Sequence, residues 1–158
     1  MLQEIERKFI INKLPSLAEL DVVEIQNINQ IYLATGQEQI RIRKTIKNNQ
    51  EKYTLTLKRG HGLLRDEIES LISKDTYNQL IREFTPLIKM RYVILTNGMK
   101  VYVDEYYQHR LTVAEVEFYS RLDAEDFEPP SWFSVEVTGI QKYENQYLWK
   151  VLQKNKRD

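Results

Sequence analysis

The sequence predicts a mainly β (α+β) fold, an antiparallel sheet of about eight strands with helices packed outside, and three features predict it. Segments rich in β-branched and aromatic residues succeed one another, polar and apolar side chains alternate inside them, and only 5 glycines and 4 prolines interrupt the chain. The first strand is expected over 3–11, where Glu4, Glu6 and Lys8 alternate with Ile5, Arg7 and Phe9. Further strands are expected near 25–34, 39–47, 51–59, 63–71, 86–97, 99–107 and 111–120, with a short one near 133–138. Asn97-Gly98 is a two-residue hairpin signal between runs of Val, Ile, Leu and Tyr, and Gly60-His61-Gly62 reads as another reversal. A short helix is expected over Pro15 to Leu20. Ser73 opens a second, with Tyr77, Leu80, Ile81 and Phe84 at helical spacing and Pro86 stopping it. Leu122 to Phe127 and Tyr143 to Gln153 complete the helices. Glu128-Pro129-Pro130 reads as a hinge, so residues 1–158 are expected to form a single domain.

Composition excludes several function classes. Lys and Arg number 23 against 23 Asp and Glu, and a neutral total argues against bulk attraction to nucleic acid or a membrane surface. Cysteine is absent, which removes disulfides, thiolate catalysis and cysteine-ligated zinc. Two isolated histidines, His61 and His109, give no zinc spacing. The amino terminus carries glutamates where a signal peptide needs an apolar core, and no apolar run approaches membrane-spanning length. A cytoplasmic protein is the expectation.

Function is written in the charged faces. Alternate residues of a strand share a face, so Glu4, Glu6 and Lys8 project together, roughly 6.6 Å apart. The pattern recurs in Arg41 and Arg43, in Thr56 and Lys58, in Glu67 and Glu69, in Lys89 and Arg91, in Asp104, in Glu115 and Glu117, and in Glu136. Wet faces of an antiparallel sheet also alternate polar with apolar residues, but they mix signs to avoid like-charge neighbours. Here each strand is sorted by sign, and sorting destabilises the sheet unless a ligand supplies the missing charges. Cations would satisfy the acidic strands and a polyanion the basic ones. Closed into a barrel, such a sheet has a charged lumen suited to a phosphate chain with a divalent metal. Arginine grips phosphate through a fork, lysine acts as a point charge, and carboxylates take Mg²⁺ or Mn²⁺ through oxygen.

In order along the chain, Glu4-x-Glu6-x-Lys8, Arg41-Ile42-Arg43, Thr56-Leu57-Lys58, Glu67-Ile68-Glu69, Lys89-Met90-Arg91-Tyr92, Val103-Asp104-Glu105-Tyr106, Ala114-Glu115-Val116-Glu117-Phe118 and Glu136-Val137-Thr138 resemble the triphosphate tunnel metalloenzymes of the CYTH domain superfamily. That superfamily takes in adenylate cyclases and thiamine triphosphatases. The resemblance covers essentially the whole chain. It implies an eight-stranded antiparallel closed β-barrel forming a charged tunnel that binds a triphosphate lengthwise, with Mg²⁺ or Mn²⁺ as cofactor. Arg41, Arg43, Lys58, Lys89 and Arg91 would hold phosphates, with Lys8 facing them. Glu4, Glu6, Glu115 and Glu117 would form the metal shell, extended by Asp104 and by Glu136 near the tunnel's end. Lys8, Lys58, Lys89, Glu67 and Glu69 are the candidate catalytic side chains. One departure stands near the C-terminus. The family's short form often has an acid and an arginine before Tyr-x-Asn, where this chain reads Gly139-Ile140-Gln141-Lys142 before Tyr143-Glu144-Asn145.

The implied activity is hydrolysis of inorganic triphosphate to pyrophosphate and phosphate. Cyclisation of ATP, hydrolysis of a nucleoside or thiamine triphosphate, and non-catalytic polyphosphate binding stay open as alternatives. The expected partner is a small molecule carrying a triphosphate, and the sequence leaves a homodimer open.

Overall fold

Short hairpins dictate how the strands neighbour one another. The strands are β1 (Leu2–Ile10), β2 (Asp21–Ala34), β3 (Glu38–Lys47), β4 (Gln50–Arg59), β5 (Leu64–Leu71), β6 (Leu87–Thr96), β7 (Met99–Tyr106) and β8 (Leu111–Phe118). A computed structural model of the chain describes residues 2–60 and 63–156. The sheet is a closed barrel in the order β1-β5-β4-β3-β2-β6-β7-β8, with antiparallel ladders throughout. Closure removes the unpaired edges that an open sheet would present. The fold class expected from the sequence is the one observed.

Asn97 and Gly98 both take positive φ, 51° and 76°, the geometry of a two-residue turn that follows the strands' own twist. Asn48 and Asn49, with φ of 49° and 61°, make a second such turn between β3 and β4. His61 and Gly62 of the other expected reversal lie outside the described residues.

Several boundaries differ from the sequence reading. β2 starts at Asp21, before the expected 25, and its ladder to β6 carries a register shift between Val22 and Glu24. The Pro15 to Leu20 segment narrows to a 3-10 turn over Leu17–Glu19. Helix α1 (Lys74–Leu80) ends before Pro86, with Ile81 as its C-cap and a turn after it in which Phe84 N–H bonds Ile81 O, and Gln153 takes the N–H and C=O of Thr85 at 2.9 and 2.7 Å. Helices α2 (Arg121–Asp126) and α3 (Asn145–Asn155) lie within two residues of expectation.

No strand forms over 133–138. Residues 134–137 instead lie along the stretch of β1 that β5 does not reach, through Ser134 N–H to Ile10 O, Ile10 N–H to Val135 O and Val137 N–H to Lys8 O, each 2.8 Å.

The barrel's outer wall buries its apolar side chains in two places. Phe9 and Phe118 pack with Phe127 and Phe133 beside α2, at centroid distances of 5.0 Å for Phe9–Phe133 and 5.3 Å for Phe118–Phe127. Elsewhere Ile31, Ile42 and Tyr53 pack under α1 and α3, where Tyr77 and Trp149 meet them. Inside, the lumen is divided. Register puts Leu87, Tyr106 and Val113 on the inner face, and together with Tyr32 and Trp149 they close one end with apolar side chains. The other part of the lumen is charged.

Candidate active site

Strand alternation and cross-strand register build the site. Glu4 and Glu6 of β1, Arg41 and Arg43 of β3, Lys58 of β4, Arg65, Glu67 and Glu69 of β5, Arg91 of β6, and Glu115 and Glu117 of β8 all line one cavity of about 130 Å³. Lys8 and Tyr32 line it as well, and residues 137–140 with Glu144 and Asn145 form part of its wall.

Register decides which charges cancel. Lys8 stands opposite Glu115, with Nζ 3.2 Å from the carboxylate, and Arg91 approaches the same glutamate at 3.7 Å. Burial would raise the Glu115 carboxyl, but Lys8, Lys89 and Arg91 outweigh it and hold it well below the usual carboxylate range. Burial likewise works against the Lys8 ammonium, and Glu115 and Glu6 overcome it, so its pKa rises. Glu115 is therefore neutralised by protein cations. It does not join the acidic group nearby, contrary to the metal role expected of it.

Glu6 stands opposite Glu117, and like charges directly across a ladder repel. Oxygens of Glu4, Glu6 and Glu117 all lie within 4.8 Å of one another. Burial pushes the Glu6 carboxyl up, with Glu115 adding to the rise, and burial followed by Glu4 and Glu6 pushes Glu117 up to about 7. Three hard oxygen donors converging in this way fit Mg²⁺ or Mn²⁺. Two cations share the group. Lys58 lies 3.0 Å from Glu4 and 3.4 Å from Glu67, and the Arg65 guanidinium pairs with both Glu4 and Glu6.

The basic side is less well neutralised. Among the described residues the Arg43 guanidinium donates to the neutral amide oxygen of Gln30, at 2.7 and 2.9 Å, and to no carboxylate. Burial, then Arg41 and Arg91, pulls its guanidinium down to about 9, the mark of positive charges gathered without enough counter-charge. Arg41 meets Thr56 at 3.1 Å and Glu69 at 3.8 Å, and its buried Nε has no hydrogen-bond partner among the described residues. This side of the cavity calls for an anion.

The profile of the CYTH domain matches residues 2–149. The chain belongs to the CYTH domain family. An inorganic triphosphatase of Nitrosomonas europaea is 35% identical over 150 residues, covering 92% of this chain and 95% of the relative. The crystal structure of the inorganic triphosphatase NE1496 superposes with a TM-score of 0.63 at 31% identity, over 94% of this chain and 95% of that one. The PH1819 protein of Pyrococcus horikoshii shares the fold, with a TM-score of 0.59 at 19% identity over 76% of this chain and 80% of its own.

Beside Glu115, three further expected positions of this CYTH domain need correction. Asp104 is fully buried and holds Lys89 at 2.7 Å and Arg91 at 2.7 and 2.8 Å, so its oxygens are committed to protein cations. Burial would raise its carboxyl, but Arg91 and Lys89 draw it down to about 2. Lys89 is sealed with it, bonded also to Tyr106 and Asn145 at 3.4 and 3.3 Å, and does not reach the cavity. Burial pulls its ammonium down against the opposing charge of Asp104. Glu136 pairs with Phe9, which faces outward, so its carboxylate meets Arg7 on the outer wall. Its neighbour Val137 turns inward instead.

Sequence reasoning missed Arg65. The signal was present, because Arg65 is two residues before Glu67 and shares its face. Gln39 was also missed as a wall residue; nothing in its type marked it. The departure before Tyr143-Glu144-Asn145 is bridged by backbone: Lys8 Nζ donates to Tyr143 O at 3.2 Å, while Lys142 lies over the Tyr143 ring at 5.0 Å.

Proposed function

We propose that the protein hydrolyses inorganic triphosphate to pyrophosphate and phosphate with Mg²⁺ or Mn²⁺. The observation that carries this reading is one small cavity with an acidic cluster, Glu4, Glu6 and Glu117, on one wall and Arg41, Arg43 and Arg91 on another. Its volume of about 130 Å³ falls below the roughly 300–1,000 Å³ of sites for drug-sized organic molecules, which favours a bare phosphate chain over a nucleotide. The likeness to an inorganic triphosphatase over most of the chain supports the same substrate.

Arg41 and Arg43 grip non-bridging oxygens and fix the chain along the cavity, while Arg91, whose fork is held by Asp104, adds positive charge to the same wall. Held by Glu4, Glu6 and Glu117, the divalent ion would withdraw charge from phosphate oxygens and acidify a bound water. Water attacks the terminal phosphorus in line, its O–P bond forming as the bridging P–O bond breaks with both electrons leaving on pyrophosphate. Glu67 and Glu69 line the same cavity and are the candidates to take the water's proton, with Glu69 held by the Thr56 hydroxyl at 2.9 Å. Lys58 stands beside Glu67, where its charge can offset that of the departing pyrophosphate.

Purified protein should release phosphate from triphosphate when Mg²⁺ or Mn²⁺ is present and fall to background in EDTA. ATP and thiamine triphosphate, run in parallel, should turn over far more slowly. Lack of turnover on triphosphate with either metal would sink the proposal. Cyclic AMP formed from ATP would replace it with the cyclase reading.

A further inference from the structure

Arg65 shares the oxygens that a metal would need. Its guanidinium pairs with Glu6 and lies 3.5 Å from Glu4, and among the described residues these are its ion-pair partners. The second cation of the group, Lys58, has an additional acid to hold, Glu67 at 3.4 Å. Arg65 lines the cavity, and its buried Nε donates to nothing among the described residues. A fork with a free buried donor has reason to turn toward an anion that satisfies it.

We propose that Arg65 couples metal binding to anion binding: it occupies the Glu4–Glu6 pair until a divalent cation takes those carboxylates, and it then turns its guanidinium to the triphosphate. This rests on the metal reading of Glu4, Glu6 and Glu117 given above. Charge supplies the driving force. Three carboxylates face two cations at the cluster, so a divalent ion converts an excess of one negative charge into an excess of one positive charge. Lys58 stays, held by Glu67. Among the described residues Arg65 has no ion-pair partner besides Glu4 and Glu6, so its charge is free to turn to a phosphate chain in the cavity that it lines. The metal thereby frees an anion donor, and by linkage the anion tightens the metal by the same factor.

The test uses Mn²⁺ binding, read by the paramagnetic resonance of free Mn²⁺, with and without an imido-bridged triphosphate analogue that resists hydrolysis. In the parent protein the analogue should tighten Mn²⁺ by about tenfold, within the ordinary range of such couplings. Arg65→Gln removes the competitor, so it should bind Mn²⁺ alone about tenfold more tightly than the parent, with the analogue's effect reduced to about twofold. Arg65→Lys should fall between, because an ammonium spans two carboxylates less well than a fork, and it carries the test if Arg65→Gln does not fold. Mn²⁺ affinity no higher in either folded variant than in the parent overturns the inference. So does an analogue effect that survives the substitution unchanged. A parent that binds no Mn²⁺ at all overturns the metal reading itself, and the coupling with it.

Discussion

Two charged clusters made from the same kinds of residue behave in opposite ways in this barrel. Around Asp104, one fully buried carboxylate meets the fully buried Lys89 and the partly buried Arg91 through bonds of 2.7 to 2.8 Å, so the charges satisfy one another. Around Glu6, three carboxylates converge within 4.8 Å, and Glu117 is pushed up to about 7 by burial and by its acidic neighbours. The first cluster is complete without a ligand, whereas the second is electrostatically unfinished. Alternating charge on a strand therefore has two meanings, and the cross-strand register decides between them. Lys8 opposite Glu115 gives a finished pair; Glu6 opposite Glu117 gives two like charges with no counter-charge across the ladder.

The comparison breaks most directly at Asp104. Asp104→Ala leaves Lys89 and the Arg91 side chain buried without their carboxylate, and losing one partner of such a group costs about 3–5 kcal/mol. Denaturant melts should show that loss with or without Mn²⁺. An unchanged midpoint would mean that the cluster is not the finished structural unit described here.

Glu117→Gln should do the reverse. Removing one of three mutually repelling carboxylates should leave the metal-free midpoint unchanged or raised by about 1 kcal/mol. The rise in Tm that Mn²⁺ gives the parent should shrink by the equivalent of about tenfold in affinity. A variant stabilised by Mn²⁺ as much as the parent would remove Glu117 from the metal site.

The third prediction concerns pH. The Glu117 pKa is raised in the folded protein, to about 7, so the folded state favours its protonated form. Its contribution to stability is present below the ordinary carboxyl pKa and is lost as pH rises through about 7. In EDTA, Tm should accordingly fall between pH 5 and 8 by more in the parent than in Glu117→Gln, the pH range being set by the shift to about 7. Mn²⁺ affinity should rise over the same interval, because the cation needs the deprotonated oxygen. Parallel Tm profiles in the two proteins would contradict the assignment.

The smallest effect is a control. The Ser73 hydroxyl accepts from Thr76 N–H at 3.0 Å and caps α1, so Ser73→Ala should cost about 1 kcal/mol while leaving Mn²⁺ affinity alone. A change in affinity would show that the outer helices tune the lumen.

Much of this was legible in the chain. The period of two in Glu4–Lys8, Arg41–Arg43 and Glu115–Glu117 located strands and inner faces, because a strand has no other way to sort its side chains. The Asn97-Gly98 turn was legible for the same local reason. Glu136 was misread because Glu-Val-Thr carries no information about which face its pairing will select; the bridge to Phe9 turns it outward. Asp104 was misread because a lone carboxylate on a strand looks the same whether its neighbour across the ladder is Arg91 or open lumen.

By itself the sequence determined the eight barrel strands to within a few residues, the hairpin at Asn97-Gly98, the segregation of acid from base, and the family through the order of its charged motifs. Each of these depends on residues close together in the chain, or on their succession along it. Only the tertiary structure decided that Glu117 rather than Glu115 joins Glu4 and Glu6, that Asp104 and Lys89 neutralise each other, and that Arg65 sits on the acidic pair. The physical reason is that charges act through space, and the distances that matter are fixed by register across the barrel. A slip of one residue in any ladder would turn that strand's charges to the opposite wall.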